Sequence, residues 1–170
     1  MSDFLQPQAQ APMLNDLWGE EHLAYFFYRA ASTFMSLRGY PYAAAFMDKE
    51  AAEELEHAKK LEGYMQLRSI PLDSADLHFD VERFTGFGDV LRRAHELESA
   101  LGVKYDRYCR ESFKSDMSMF NLLLTFVDIQ AEAEGYWRGL LDRLAQIDEN
   151  DAAAIQEFEE QMFSEPPTPL

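Results

Sequence analysis

Apolar residues recur along four long stretches of the chain at alternating three- and four-residue steps, the spacing of one face of an α-helix. The first seam reads Leu14, Leu17, Glu21, Ala24, Tyr28, Ala31, Met35, and the second Ala43, Met47, Glu50, Glu54, His57, Leu61, Tyr64. The third reads Phe87, Leu91, Ala94, Glu98, Leu101, Tyr105, Tyr108, and the fourth Leu123, Phe126, Gln130, Ala133, Trp137, Leu140, Leu144. No strand-like alternation competes, and no internal repeat is present. Gly and Pro punctuate the pattern at Gly39–Tyr40–Pro41, Ile70–Pro71, Gly86–Phe87–Gly88 and Pro166–Pro167, with polar breaks at Ser115–Asp116 and Asp148–Asp151. The stretches between are rich in helix formers. The pattern predicts helices over about 13–38, 41–69, 87–114 and 117–147, and a short fifth over about 150–162. Pro41 suits the first turn of the second helix. Asn15 and Asp16 suit the positive end of the first.

Each long helix spans about 40 Å at 1.5 Å per residue. Tight connections join the first to the second and the third to the fourth, which makes two antiparallel hairpins. The segment between the pairs, about 17 residues, can stretch about 55 Å and so run the whole length of a bundle. The expectation is an all-α four-helix bundle with one long crossover and a short C-terminal fifth helix. It forms a single domain over 13–164, between a flexible arm (1–12) and a flexible tail (165–170).

Polar residues interrupt all four seams near the helix midpoints: Glu21, Glu54 with His57, Glu98, and Gln130. Midpoints of antiparallel helices meet at one level, so these five groups converge. Buried carboxylates cost several kcal/mol each unless compensated, and no Lys or Arg lies on the seams at that level. A bound cation is the simplest compensation, and carboxylates with one imidazole suit Fe, Mn or Zn. Glu54-x-x-His57 places both side chains on one helix face. Tyr28, Tyr64, Tyr105, Tyr108 and Trp137 read as core. Glu20, Glu53, Glu56 and Glu62 read as solvated face, and His22, His78 and His95 as surface.

The chain carries 15 Lys+Arg against 31 Asp+Glu, a net charge of −16. That balance argues against a nucleic-acid binder, which needs a basic face. Apolar residues at 47% suffice for a core. One cysteine, Cys109, excludes an intrachain disulfide and a Cys-based zinc site. The longest apolar runs, such as Leu122–Leu124 and Ala43–Met47, are far too short to span a membrane. The expectation is a cytoplasmic protein with neither nucleic-acid nor membrane partner.

At Tyr42–Phe46, Glu53–Glu54–Leu55–Glu56–His57, Glu21 with Tyr28, Ile70–Pro71–Leu72, Glu98, and Phe126–Val127 with Gln130, the chain resembles a non-haem bacterial ferritin of the ferritin-like di-iron family. The resemblance covers roughly residues 13–147. It implies a ferroxidase centre in which Glu21, Glu54 and His57 hold one iron, Glu54 bridges, Glu98 holds a second with Gln130 close by, and Tyr28 stands beside them. A third iron site is matched in part by Glu53 and Glu132, but Ile129 and Ala133 stand where carboxylates would be needed. Glu50 is a further candidate ligand. Leu55 stands where a bacterioferritin has its haem-ligating Met, so no haem is expected. The resemblance also implies Fe²⁺ and O₂ or H₂O₂ as substrates, Fe³⁺ stored as mineral, and a homo-oligomeric cage of twenty-four subunits. The acidic helix at 152–163 matches the family's cage-closing helix poorly. Two alternatives stay open: another di-metal oxidase or peroxidase of rubrerythrin type, and a non-catalytic helical interaction protein.

Overall fold

The computed structural model describes residues 10–73, 77–78 and 83–164. These form five helices and no strand: α1 (Ala11–Leu37), α2 (Pro41–Leu67), α3 (Phe87–Ser112), α4 (Met117–Leu144) and α5 (Ala152–Phe163). Residues 11 and 12 belong to α1 rather than to a flexible arm, with Pro12 in its first turn, where no amide donor is needed. Residues 1–9 and the expected tail lie outside the described residues.

Local chemistry sets the helix ends. Gly39 adopts φ +83°. This lets the Tyr40 amide donate to the Met35 carbonyl at 3.0 Å, the closing bond of a Schellman turn, and Pro41 then opens α2. α2 closes in the same way with Ser69 at φ +54°, the Ile70 amide donating to Met65 at 2.9 Å. Asp116 caps α4 by accepting from the Ser118 and Met119 amides at 2.9 and 3.1 Å. The same carboxylate accepts from Arg68 at 3.0 Å, tying the foot of α2 to the head of α4.

α1 pairs with α2 and α3 with α4, as antiparallel hairpins. The described parts of the crossover follow α1 from bottom to top. Asn15 accepts from the Asp73 amide at 2.7 Å. Leu77 lies so close to Gly19 that a Cβ there would meet it at 3.2 Å. Phe84 packs edge-on against Phe27. The chain therefore returns to the end of the bundle where α3 begins.

The seams bury their apolar positions and form two separate clusters. One half holds Leu14, Leu17, Ala58, Leu61, Leu101, Tyr105, Leu123 and Phe126. The other holds Phe27, Tyr28, Met35, Met47, Ala51, Leu91, Ala94, Trp137 and Leu140. Between them, on all four long helices, lies a layer of polar side chains. At the far end of the second half, α5 packs Ile155, Phe158 and Phe163 onto the bundle. Its acidic face is not all solvated: Glu159, buried, accepts from the Tyr42 and Ala43 amides at 2.6 and 2.9 Å. This satisfies free donors at the positive end of α2.

Candidate metal centre

Four members of the polar layer are buried: Glu21 is 0% exposed, Glu98 2%, Gln130 3% and Glu54 4%. Helical phase accounts for this. Glu21 lies between Leu17 and Ala24 on α1, Glu54 between Ala51 and Ala58 on α2, Glu98 between Ala94 and Leu101 on α3, and Gln130 between Phe126 and Trp137 on α4, all of which are core positions. His57, one turn beyond Glu54, is partly covered, with 18% of its side chain exposed.

Glu21, Glu54 and His57 meet. One donor atom from each lies within 4.8 Å of the others, the only such group of three His, Cys, Asp or Glu side chains among the described residues. Bonds of about 2.1 Å to one shared ion allow donors up to about 4.2 Å apart, so a small closure suffices. His57 Nδ1 stands 3.1 Å from Glu54 Oε2 and 3.5 Å from Glu21 Oε2. Glu21 divides its two oxygens: Oε1 accepts from the Tyr105 phenol, while Oε2, fully buried, has no hydrogen-bond partner. An unpaired buried carboxylate oxygen facing an imidazole and a second carboxylate fits a cation-binding position.

Glu98 is arranged differently. Its Oε1 accepts from the Tyr28 phenol. With its amide oriented to satisfy both neighbours, Gln130 donates to Glu98 Oε2 at 2.9 Å and to the Glu98 carbonyl at 3.1 Å. Both oxygens are thus engaged by protein donors. Tyr28 is itself fully buried and stacks on Trp137, with ring centroids 6.0 Å apart.

The metal-free electrostatics register the crowding. Burial, then the neighbouring Glu21 carboxylate, pushes the Glu54 carboxyl well above its ordinary range. Burial also raises Glu98, to about 7, with the Glu21 charge adding to it against the Tyr28 hydrogen bond. Burial alone would lower His57, but the Glu21 carboxylate 3.5 Å away and the surrounding carboxylates outweigh that and raise it. Each raised carboxyl favours its protonated form, which lessens the repulsion within the layer.

The other sequence candidates fall outside this group. Glu50 is half-buried one turn from Glu54 and is raised to about 8, first by burial and then by Glu53 and Glu98. Glu53 is half exposed and pairs with Lys49 at 3.3 Å, and Glu132 is exposed. Tyr105, read as plain core from the sequence, contacts a site carboxylate. Its only signal was a hydroxyl-bearing residue on the α3 seam two turns beyond Glu98. Several residues expected on the open surface are partly covered, Glu20 among them, paired with Lys104. His22 packs on Trp18 with centroids 4.1 Å apart, Glu62 accepts from the Trp18 indole at 2.7 Å, and His95 has its Nε2 buried.

Fold and layer together define a ferritin-type bundle with a carboxylate–imidazole centre at mid-height. The chain belongs to the ferritin family: the family model described as Ferritin-like domain matches residues 12–147. Among curated proteins it is similar to a probable bacterial non-heme ferritin-like protein of Haemophilus influenzae, 28% identical over 78% of this chain and 81% of that one. It is also similar to a bacterial non-heme ferritin of Campylobacter jejuni, 27% identical over 81% and 83%. Its fold matches that of an open-pore ferritin from Archaeoglobus fulgidus, with a TM-score of 0.87 at 17% identity over 98% of this chain and 100% of that one. An engineered closed form of the A. fulgidus protein gives 0.85 at 18% identity over 99% of each chain. No described helix is long and apolar enough to cross a membrane.

Proposed function

We propose that this protein is an iron-storage ferroxidase that takes Fe²⁺ as substrate at the polar layer. The observation that carries the reading is the buried, unpartnered Oε2 of Glu21 facing Glu54 and His57. Family membership and the names of the two curated relatives support it. Glu21, Glu54 and His57 form the first position. Glu98 and the shared Glu54 form the second, with Gln130 and Tyr28 as the hydrogen-bonding partners that hold Glu98. Two Fe²⁺ ions each give one electron to O₂, which with two protons leaves as H₂O₂. With H₂O₂ as acceptor, two Fe²⁺ again give one electron each, and two protons complete two waters. The chain supplies charge compensation, fixed ligand geometry and a site largely closed to water. The Fe³⁺ produced is stored as mineral inside a homo-oligomeric cage, for which twenty-four copies are proposed. The −16 net charge favours cation approach.

Anaerobic Fe²⁺ titration followed by O₂, with particle mass measured on the same sample, tests this. Two Fe²⁺ per chain, a fast oxidation phase and a particle twenty-four times the 19.6 kDa chain are expected. A small particle that takes up no iron and shows no fast phase would overturn the reading.

A further inference from the structure

Two phenols reach into the polar layer from opposite halves of the core. Tyr28 belongs to one apolar cluster and donates to Glu98, and Tyr105 belongs to the other and donates to Glu21. Tyr105 is fully buried and rigidly held. Its ring stacks on Phe126 at 4.7 Å with 3° between planes, and Phe126 meets the His57 ring edge-on at 5.7 Å. One aromatic column therefore braces two members of the candidate first position, Glu21 through the phenol and His57 through the ring.

Resting on the reading of Glu21, Glu54 and His57 as that first position, we propose that Tyr105 is its positioning residue. Its phenol occupies Oε1 of Glu21 and so commits the carboxylate to ligation through Oε2 alone. The geometry gives this direct support. The two oxygens of Glu21 are unequal, one engaged from α3 and the other unpartnered and close to His57 Nδ1. A carboxylate restricted to one oxygen beside an imidazole favours an ion content with few N and O ligands. It disfavours Ca²⁺, which gathers six to eight oxygens, often with two from one carboxylate. Partners that orient a metal ligand typically change metal affinity 10–100-fold when removed.

The test is anaerobic Co²⁺ titration of the full assembled protein, followed by visible d–d absorption, which is stronger for four- and five-coordinate Co²⁺ than for six-coordinate. Tyr105→Phe should keep helical circular dichroism, weaken the first Co²⁺ about 10–100-fold, and dim the band as Glu21 turns to two-oxygen ligation. Tyr108→Phe serves as control. It removes a phenol–carboxylate bond of the same kind, to Asp16 at 2.7 Å and between the same two helices, but away from the layer. It should leave affinity and band unchanged. A Tyr105→Phe protein that binds Co²⁺ as wild type does, or an equal loss in Tyr108→Phe, overturns the inference while leaving the metal centre standing. Wild-type protein that takes up no Co²⁺ overturns both. Wild-type crystals soaked in Co²⁺ provide a readout independent of the variants. Glu21 should bind through Oε2 with Oε1 still on the Tyr105 phenol, and two-oxygen ligation there would contradict the proposal.

Discussion

The two sides of the polar layer carry different side chains and are prepared differently. On the α1–α2 side, Glu21, Glu54 and His57 already face one another, and one carboxylate oxygen is left without a partner. On the α3–α4 side, Glu98 has both oxygens engaged, one by the Tyr28 phenol and one by the Gln130 amide. A cation entering the first side meets a Glu21 oxygen that no donor holds, whereas one entering the second must draw Glu98 away from a donor. Charge count points the same way, with two carboxylates and an imidazole against the shared Glu54, Glu98 and a neutral amide. On the proposed ferroxidase reading, tight first-position and looser second-position binding would also suit turnover, because an oxidised pair would have to leave.

Removing a ligand of the prepared side should have the largest effect. Glu54→Ala takes away the shared carboxylate and His57→Ala the imidazole. Each should slow the fast oxidation phase by more than about 100-fold, beyond the loss typical of an outer partner. Both variants should stay helical, because each removes a group that is costly to bury. Stopped-flow absorbance with circular dichroism on the same preparation checks this, and unchanged initial rates in either variant would remove the assignment.

Gln130→Glu reverses the contrast between the sides. It replaces an amide donor on Glu98 with a like charge. The metal-free protein should lose thermal stability, while the second metal binds about tenfold more tightly, a gain of about 1.4 kcal/mol, and Fe³⁺ leaves more slowly. Calorimetry with Zn²⁺ and release assays after a single oxidation cycle measure both changes.

Acidity should act on both sides of the layer, because Glu54 and His57 are raised as well as Glu98 and Glu50. Glu98 is raised to about 7 and Glu50 to about 8. For a carboxylate raised on folding, the bound proton stabilises the fold. That contribution is complete below the ordinary carboxylate range and is lost as pH climbs through the raised value. The Tm of the metal-free protein should therefore fall between about pH 5 and pH 8. Second-position affinity should rise with pH up to about 7, because the ion displaces protons from Glu98 and the shared Glu54. A metal-free Tm that climbs over this window would contradict the burial argument.

Tyr28→Phe should have the smallest effect. It frees Glu98 Oε1 without removing a ligand, so two metals should still bind, while oxidation slows or follows a different course. Loss of two-metal stoichiometry would mean that the phenol is itself a ligand.

Much of this was legible in the sequence because helical phase reports depth. The seams place Leu14, Leu17, Ala24, Leu61, Leu91, Phe126 and Trp137 inside, and they are buried. The interruptions at Glu21, Glu54, Glu98 and Gln130 stand out for the same reason. Phase does not report which side chain lies opposite. Tyr105 and Glu21 are 84 residues apart, and nothing local to either indicates that the phenol donates to the carboxylate. Nothing local marks Glu159, on an acidic helix, as buried, yet it caps α2 from 116 residues away. The end of α2 depends on a similar non-local balance. Ser69 holds the left-handed conformation that Gly39 holds at the end of α1, at a cost of about 1–2 kcal/mol that its surroundings must offset.

The asymmetry of the two sides is tested most directly by partial loading. Crystals exposed anaerobically to less than one Fe²⁺ per chain, with anomalous scattering refined as occupancy, report which side fills. Iron should lie between Glu21, Glu54 and His57, with Glu98 still held by Tyr28 and Gln130, and the second position should fill only as Fe²⁺ is raised. Equal occupancy at low iron, or filling beside Glu98 first, would contradict the account.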